Sequence, residues 1–248
     1  MNTIVEFSVL SYYPSLVTDE NINVAIAFNI KPQNKRIFYI TNNWRRLESF
    51  DDELDISFMK KDLQGIRADF ENSLFNDSAE FNFKEFIRFY VNELRFNPIE
   101  SMRTEDPLAF IEYTKKVCMR FDFERSKRLG KNKEVSFVKQ LMKQRDIKYQ
   151  TKPISGAFEE NVRFDFVLND HGFKFFSFEN KDLNRMIDSA KSWAFTAGSL
   201  KDKYKIVFVF DTEELDSSSF RAIRRILERD AKIVSGSQII SFVSGLSA

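Results

Sequence analysis

The stretch from Asn161 to Lys181, NVRFDFVLNDHGFKFFSFENK, constrains the fold more than any other part of the chain. Two runs rich in Phe and Val flank Asn169-Asp170-His171-Gly172, a cluster of turn-forming residues, so the segment is predicted to be a β-hairpin. Its first strand, 162–168, carries Asp165; its second, 173–181, ends in Glu179-Asn180-Lys181. Alternation along the second strand puts Phe175, Ser177, Glu179 and Lys181 on one face, and Phe176 and Phe178 on the other. With a turn centred near Gly172, Asp165 and Glu179 face each other with Cβ atoms about 5 Å apart.

Two carboxylates that close repel, and a shared cation relieves the repulsion. Mg²⁺ suits them, because it prefers oxygen ligands and keeps several waters. A water acidified by the metal can attack phosphorus, and Lys181 would orient it or neutralise charge building on the phosphate. The bland alternative is a pair of cross-strand ion pairs on a wet sheet face, Asp165 with Lys181 or Arg163 with Glu179, contributing about 0–1 kcal/mol each. Acid-x-Lys also occurs at Asp146-Ile147-Lys148 and Asp230-Ala231-Lys232, but only Glu179-Asn180-Lys181 ends a strongly apolar strand.

Scarcity narrows the chemistry further. The 248 residues include one His, His171, and one Cys, Cys118, so a structural zinc site of about four Cys/His ligands and an internal disulfide are both excluded. A Ser-His-Asp or Cys-His site would have to use His171, which is expected to be a solvated turn residue. Cys118 is expected to be a small core residue in a helix. Neither a P-loop nor a G-x-G-x-x-G fingerprint occurs. An enzyme built from this chain would run on carboxylates, lysines and a hard metal. No run of about 18 apolar residues is present, so no membrane span is expected. The N-terminus lacks the basic region of a secretion signal, and the reducing cytosol is the expected compartment.

The net charge of +1 hides an asymmetry. Residues 48–80 hold ten acids against three bases, a balance of −7, and residues 124–148 hold nine bases against three acids, a balance of +6. The second stretch is either a surface facing a polyanion or a solvated basic helix.

Strands are predicted at 3–12, 22–30 and 36–41, followed by an amphipathic helix with Ile56, Met59, Leu63, Ile66, Phe70 and Leu74 on its inner face. A helix over Phe83–Phe96 comes next, then one capped by Thr104 and running to about Phe121. Residues 1–122 therefore form a β+α unit. Residues 123–133, with RSKRLGKNK, form a basic connector, and 134–248 a second domain. In that domain the order is a helix from Val135, a short strand at 148–152, a loop at 153–160, the hairpin, a helix from Leu183 to about Leu200, the buried strand KIVFVF, a helix at 217–229, and one or two strands at 232–243.

From 135 onward this order of helix, three strands, helix and strand resembles the core of the PD-(D/E)XK nuclease superfamily. The resemblance covers about 135–212. It implies an α/β restriction-endonuclease-like mixed sheet flanked by helices, preceded by the β+α N-terminal domain. Phe164-Asp165 stands where Pro-Asp would be, and Glu179-Asn180-Lys181 stands for the (D/E)-x-K. It implies that Asp165 and Glu179 hold Mg²⁺ (or Mn²⁺), with Glu134 as a further metal ligand, and that Lys181 completes the catalytic set. Asn184 and Lys191 would contact substrate on the following helix, and Arg125, Lys127, Arg128, Lys131 and Lys133 would meet phosphates. The N-terminal FSVLSYYPSLVTDENINVAIAF is similar to the opening of a bacterial domain of unknown function, in which a Tyr-x-Pro strand end leads to an Asn-x-Ala/Gly strand. That likeness transfers no chemistry; Glu20, Asn21 and Asn23 are either a site or turn and strand-end residues.

The expected function is metal-dependent hydrolysis of nucleic acid, DNA above RNA, in the setting of restriction, phage defence or mobile elements that the resemblance implies. Cleavage of both strands would call for a homodimer. The rival is an inactive nuclease fold whose acidic N-terminal face, Glu48–Glu80, binds a basic protein partner or mimics DNA. A nucleic-acid binder without catalysis is a second rival.

Overall fold

The computed structural model describes residues 3–15, 17, 20–72, 81–176, 182–210, 218–236 and 238–246. The chain is mixed α/β and divides into two compact units, Met1–Leu129 and Gly130–Ala248.

The first unit is built on an antiparallel sheet of β1 (Thr3–Tyr12), β2 (Ile22–Lys31), β3 (Lys35–Ile40), β4 (Leu94–Phe96) and β5 (Glu100–Thr104). The order is β3-β2-β1, and the far edge of β1 is shared by β5 along residues 3–7 and β4 along residues 10–12. β2 is the sequence INVAIAFNIK and is buried from Ile22 to Ile30, because both faces of the sheet are covered. One face meets α1 (Trp44–Phe50), α2 (Ile56–Asn72) and α3 (Phe83–Ile87). Met59, Leu63, Ile66 and Phe70 of α2 are buried, so the predicted stripe is the packing stripe; Leu74 lies outside the described residues. Phe70 is the hub, with the rings of Phe38, Phe81, Phe83 and Phe86 at centroid distances of 5.2–5.9 Å. On the other face Phe110 of α4 (Pro107–Cys118) packs edge-on against Phe7 at 5.9 Å.

Two expectations in this unit are corrected. The helix predicted over Phe83–Phe96 ends at Ile87, and residues 94–96 are a strand on β1. Phe86, Ile87, Tyr90 and Leu94 do pack on the core, so their spacing mimics a helix. The backbone instead completes the sheet edge, with Tyr13 N–H donating to the Glu93 carbonyl at 2.7 Å and Asn97 N–H to that of Val9 at 2.8 Å. The cap of α4 is Asp106, which accepts from Ala109 N–H; Thr104 ends β5.

The second unit is a four-stranded mixed sheet in the order β11-β10-β9-β8, comprising β8 (Phe166–Leu168), β9 (His171–Phe175), β10 (Lys205–Phe210) and β11 (Lys232–Ser235). β8 and β9 are antiparallel; β9, β10 and β11 are parallel. Parallel neighbours need crossovers, supplied by α6 (Leu183–Leu200) and α7 (Ser218–Leu227). In β10, Val207 and Val209 join the core with α5 (Lys131–Gln144) and α8 (Ile239–Gly245). Ile206, Phe208 and Phe210 join the core of α6 and α7 on the opposite face. A strand packed on both sides against apolar helices reads as a near-continuous apolar run, which is why KIVFVF lacks alternation after its lysine.

The predicted strand at 148–152 is reduced to one antiparallel bridge, Gln150 with Val167, made by two 2.8 Å hydrogen bonds. The loop at 153–160 includes a two-residue strand, β6 (Ile154–Ser155), paired with β7 (Asn161–Val162). Within the connector, Arg125–Lys127 is a 3-10 turn and α5 already starts at Lys131. Residues 239–245 are a helix and not a strand, because Ile239 and Val243, four apart, both enter the core beside α5.

The hairpin register is also corrected. Phe166 pairs with Phe173 and Leu168 with His171, so the turn is Asn169-Asp170 and is not centred near Gly172. Asn169 supplies the left-handed turn position, with φ 53°, which Asn tolerates better than most residues. Gly172 serves close approach: a Cβ there would lie 3.0 Å from the Phe164 ring.

Candidate functional site

Asp165 stands at a bend just before β8. Its N–H donates to the Phe173 carbonyl at 2.8 Å, and its Oδ2 accepts the Phe175 N–H at 2.8 Å. The bend therefore binds Asp165 across the hairpin to residues 173–175. The Lys131 ammonium lies 3.1 Å from the same Oδ2. Lys131 is the first residue of α5, which starts after Gly130 in extended conformation. The pair is mostly shielded, with side chains 25% (Lys131) and 19% (Asp165) exposed. Glu134 is half-buried in the first turn of α5, three residues on and so on the same helix face as Lys131.

Glu179 and Lys181 lie outside the described residues. Among the described residues no three His, Cys, Asp or Glu side chains gather as a metal site. Asp165 and Glu134 present carboxylate oxygens, the donor type that a hard divalent cation takes, and Lys131 supplies a positive charge at Asp165. Carboxylate oxygen is the donor type that Mg²⁺ or Mn²⁺ takes, but the Lys131 ammonium already lies against Asp165 Oδ2.

The remaining predicted contacts are spread out. Asn184 and Lys191 are exposed on α6, two turns apart on one face. Lys133 is exposed in the first turn of α5. Arg125 and Lys127 form the 3-10 turn, where Lys127 pairs with Glu124 at 3.0 Å. Arg128 donates Nε–H to the Phe123 carbonyl at 3.0 Å, and its guanidinium lies 5.0 Å from the Phe121 ring. Further along, Arg145 donates to Ser244 Oγ at 2.6 Å. Arg125, Lys127 and Arg128 belong to the first unit, Lys131 and Lys133 to the second. Of all these residues, the structure brings together Asp165 and Lys131. Lys131 as counter-ion of Asp165 has no signal in the sequence, because 34 residues separate them.

His171 is not a solvated turn residue. Its side chain is 13% exposed, begins β9, and packs against the rings of Phe173 and Phe242. Asp170 beside it lies 2.9 Å from Lys205 Nζ, and the hydrogen bond from that ammonium is the main cause that holds the Asp170 carboxyl below its ordinary pKa. Burial pushes the Cys118 thiol up to about 12, which removes it as a nucleophile.

The acidic stretch is partly consumed by structure. Asp51 accepts the Tyr12 hydroxyl, Asp55 caps the start of α2 through Ser57 N–H and Phe58 N–H, and Glu71 accepts Phe38 N–H and pairs with Arg67. Asp77 and Glu80 lie outside the described residues. Asn23 is structural: its Oδ1 accepts from Ser11 Oγ and its Nδ2 donates to the Cys118 carbonyl, fully buried.

Residues 7–112 match the model of a family described as a protein of unknown function (DUF3037). The match lies within the first unit and bears out the likeness of the N-terminal part to a domain of unknown function. The chain matches none of the curated proteins and none of the solved structures with which it was compared. Among the described residues no helix is long and apolar enough to cross a membrane.

Proposed function

We propose that the second unit is a metal-dependent nuclease of the PD-(D/E)XK type, acting on DNA. The observation that carries the reading is Asp165: a shielded carboxylate at the bend before β8, bound by the backbone of β9 and by Lys131 at the start of α5. In the superfamily pattern the motif acid sits on the second strand, and Asp165 immediately precedes β8. The order of helix, Gln150 bridge, two antiparallel strands, helix and parallel strand supports it too. Asp165, Glu134 and Glu179 would hold Mg²⁺ or Mn²⁺. When bound, the metal supplies an acidified water and neutralises phosphate charge. Lys181 would orient that water, and Asn184, Lys191, Lys133 and the 125–128 turn would meet phosphates.

The test is cleavage of linear and plasmid DNA, and of RNA, with Mg²⁺ or Mn²⁺ by wild type, Asp165→Ala and Lys181→Ala. Wild type should cleave and each variant should lose at least a hundredfold. Equal activity in all three proteins would sink the site.

A second reading is favoured by one observation. Lys131 already neutralises Asp165, and the hairpin register holds Asp165 beside residues 173–175, so an inactive nuclease fold with a protein partner is also consistent. The exposed acids of residues 48–69 would then face a basic partner. Absence of cleavage on every substrate, together with a stable complex recovered by pull-down, would select this reading.

A further inference from the structure

A separate candidate site lies wholly in the first unit and is independent of the nuclease reading. At one end of the sheet face that carries α2 and α3, a cavity of about 320 Å³ is walled by Phe81, Phe83 and Ile99 and edged by Glu6, Lys31 and Lys84. That size falls at the small end of ligand pockets. Its Glu6 belongs to a polar row across three strands. Glu6 pairs with Asn29, and Asn29 with Arg36, so the three side chains share one face of the sheet.

The row is incompletely satisfied. Glu6 takes Lys31 Nζ at 2.8 Å on Oε1 and Asn29 Nδ2 at 3.2 Å on Oε2. Asn29 is 0% exposed, yet its Oδ1 has no hydrogen-bond partner among the described residues. Arg36 lies with its guanidinium 4.6 Å from the centre of the Phe81 ring, and its Nε and Nη1 are buried without hydrogen-bond partners among the described residues. Burial lowers the Arg36 pKa from its ordinary value. Buried polar atoms without partners are rare in folded proteins, and Asn29 and Arg36 adjoin Glu6 and Phe81 without themselves lining the cavity. The lining charges give the sign of a ligand. Lys31 offsets Glu6, while Lys84 remains without an ion pair among the described residues.

We propose that this cavity binds a small organic anion, its apolar body seated on Phe81, Phe83 and Ile99 and its carboxylate or phosphate group held by Lys84 and Lys31. The apolar walls give affinity through burial, and the cations set orientation and charge preference.

Isothermal titration of the full chain with phenyl phosphate, benzoate and inorganic phosphate tests it. Phenyl phosphate or benzoate should bind, and whichever is tighter identifies the anionic group. Lys84→Glu, at an exposed position, should weaken that binding at least tenfold with the melting temperature unchanged. Glu6→Gln removes the one carboxylate among the lining residues and should tighten it. No binding of either organic probe at millimolar concentration, or binding that neither substitution alters, would overturn the proposal. Inorganic phosphate binding as tightly as phenyl phosphate would overturn the part played by the apolar walls.

Discussion

In the first unit every strand pairing is antiparallel, and β2 passes to β3 through three residues, whereas in the second unit β9, β10 and β11 run parallel and each step needs a helix. The difference governs where polar groups can sit. The antiparallel sheet carries buried polar side chains along its strands: Ser8, Ser11, Asn23 and Asn29 are all at most 2% exposed. In the second unit Ser235 is the one buried polar residue among those described, and it closes β11. Its charges gather at the ends of elements, as in Asp165 with Lys131 and Asp170 with Lys205. Both sheets are covered on both faces; β10 meets apolar side chains on each face, whereas β1 and β2 hold polar side chains that hydrogen-bond to one another across the strands. The first unit can hold a polar row inside, at the cost of having to satisfy it.

The largest test of the comparison concerns the cores. Phe70→Ala removes the hub of the first unit and should destabilise it by about 3–5 kcal/mol. Hydrogen exchange should then rise across β1–β5, while the amides of β10 keep their protection. Loss of protection in both sheets together would mean that the units unfold as one body.

Next is the satisfied polar pair. Asn23→Ala leaves the Cys118 carbonyl and the Ser11 hydroxyl without their partner, and should cost about 1–3 kcal/mol in urea unfolding. Asn29→Ala, by contrast, removes an unpaired oxygen along with one hydrogen bond to Glu6, so it should cost less. Equal losses would erase the distinction between the structural amide and the candidate site.

A smaller effect is expected at a helix start of the second unit. Asp182 caps α6 by accepting Arg185 N–H at 3.0 Å, and Asp182→Ala should cost about 1 kcal/mol. Its exchange signature should stay in the second unit.

The smallest is a pH effect confined to the first unit. Burial raises the Asp122 pKa, against the opposing hydrogen bonds from Thr41, Asn42 and Tyr39. The folded chain then holds this proton more tightly than the unfolded chain. Stability from Asp122 is full below the usual carboxylate pKa and is lost as pH rises through the raised value. Asp122→Asn should therefore flatten the fall in stability over the weakly acidic range, measured as the melting temperature against pH. An unchanged slope would remove the assignment.

Several features could be read from residue order alone. Strands β1–β3, the α2 stripe, α6 and KIVFVF follow from local periodicity, and local periodicity is what a chain carries in its own order. That the chain cannot build a four-Cys/His zinc site or an internal disulfide follows from its one His and one Cys. Other features depended on contacts far apart in sequence. Residues 94–96 and 100–104 are strands because β1 offers them an edge, although 86, 87, 90 and 94 are spaced like a helix. The hairpin turned at Asn169-Asp170 because Asn169 accepts the left-handed conformation, and Gly172 was needed where Phe164 approaches. Asp165 met Lys131, and Glu6, Asn29 and Arg36 lined up across three strands, only through sheet register and helix placement. Periodicity fixes which face of an element is apolar; which partner that face or its charged ends will meet is set by long-range packing, and tertiary structure alone decides it.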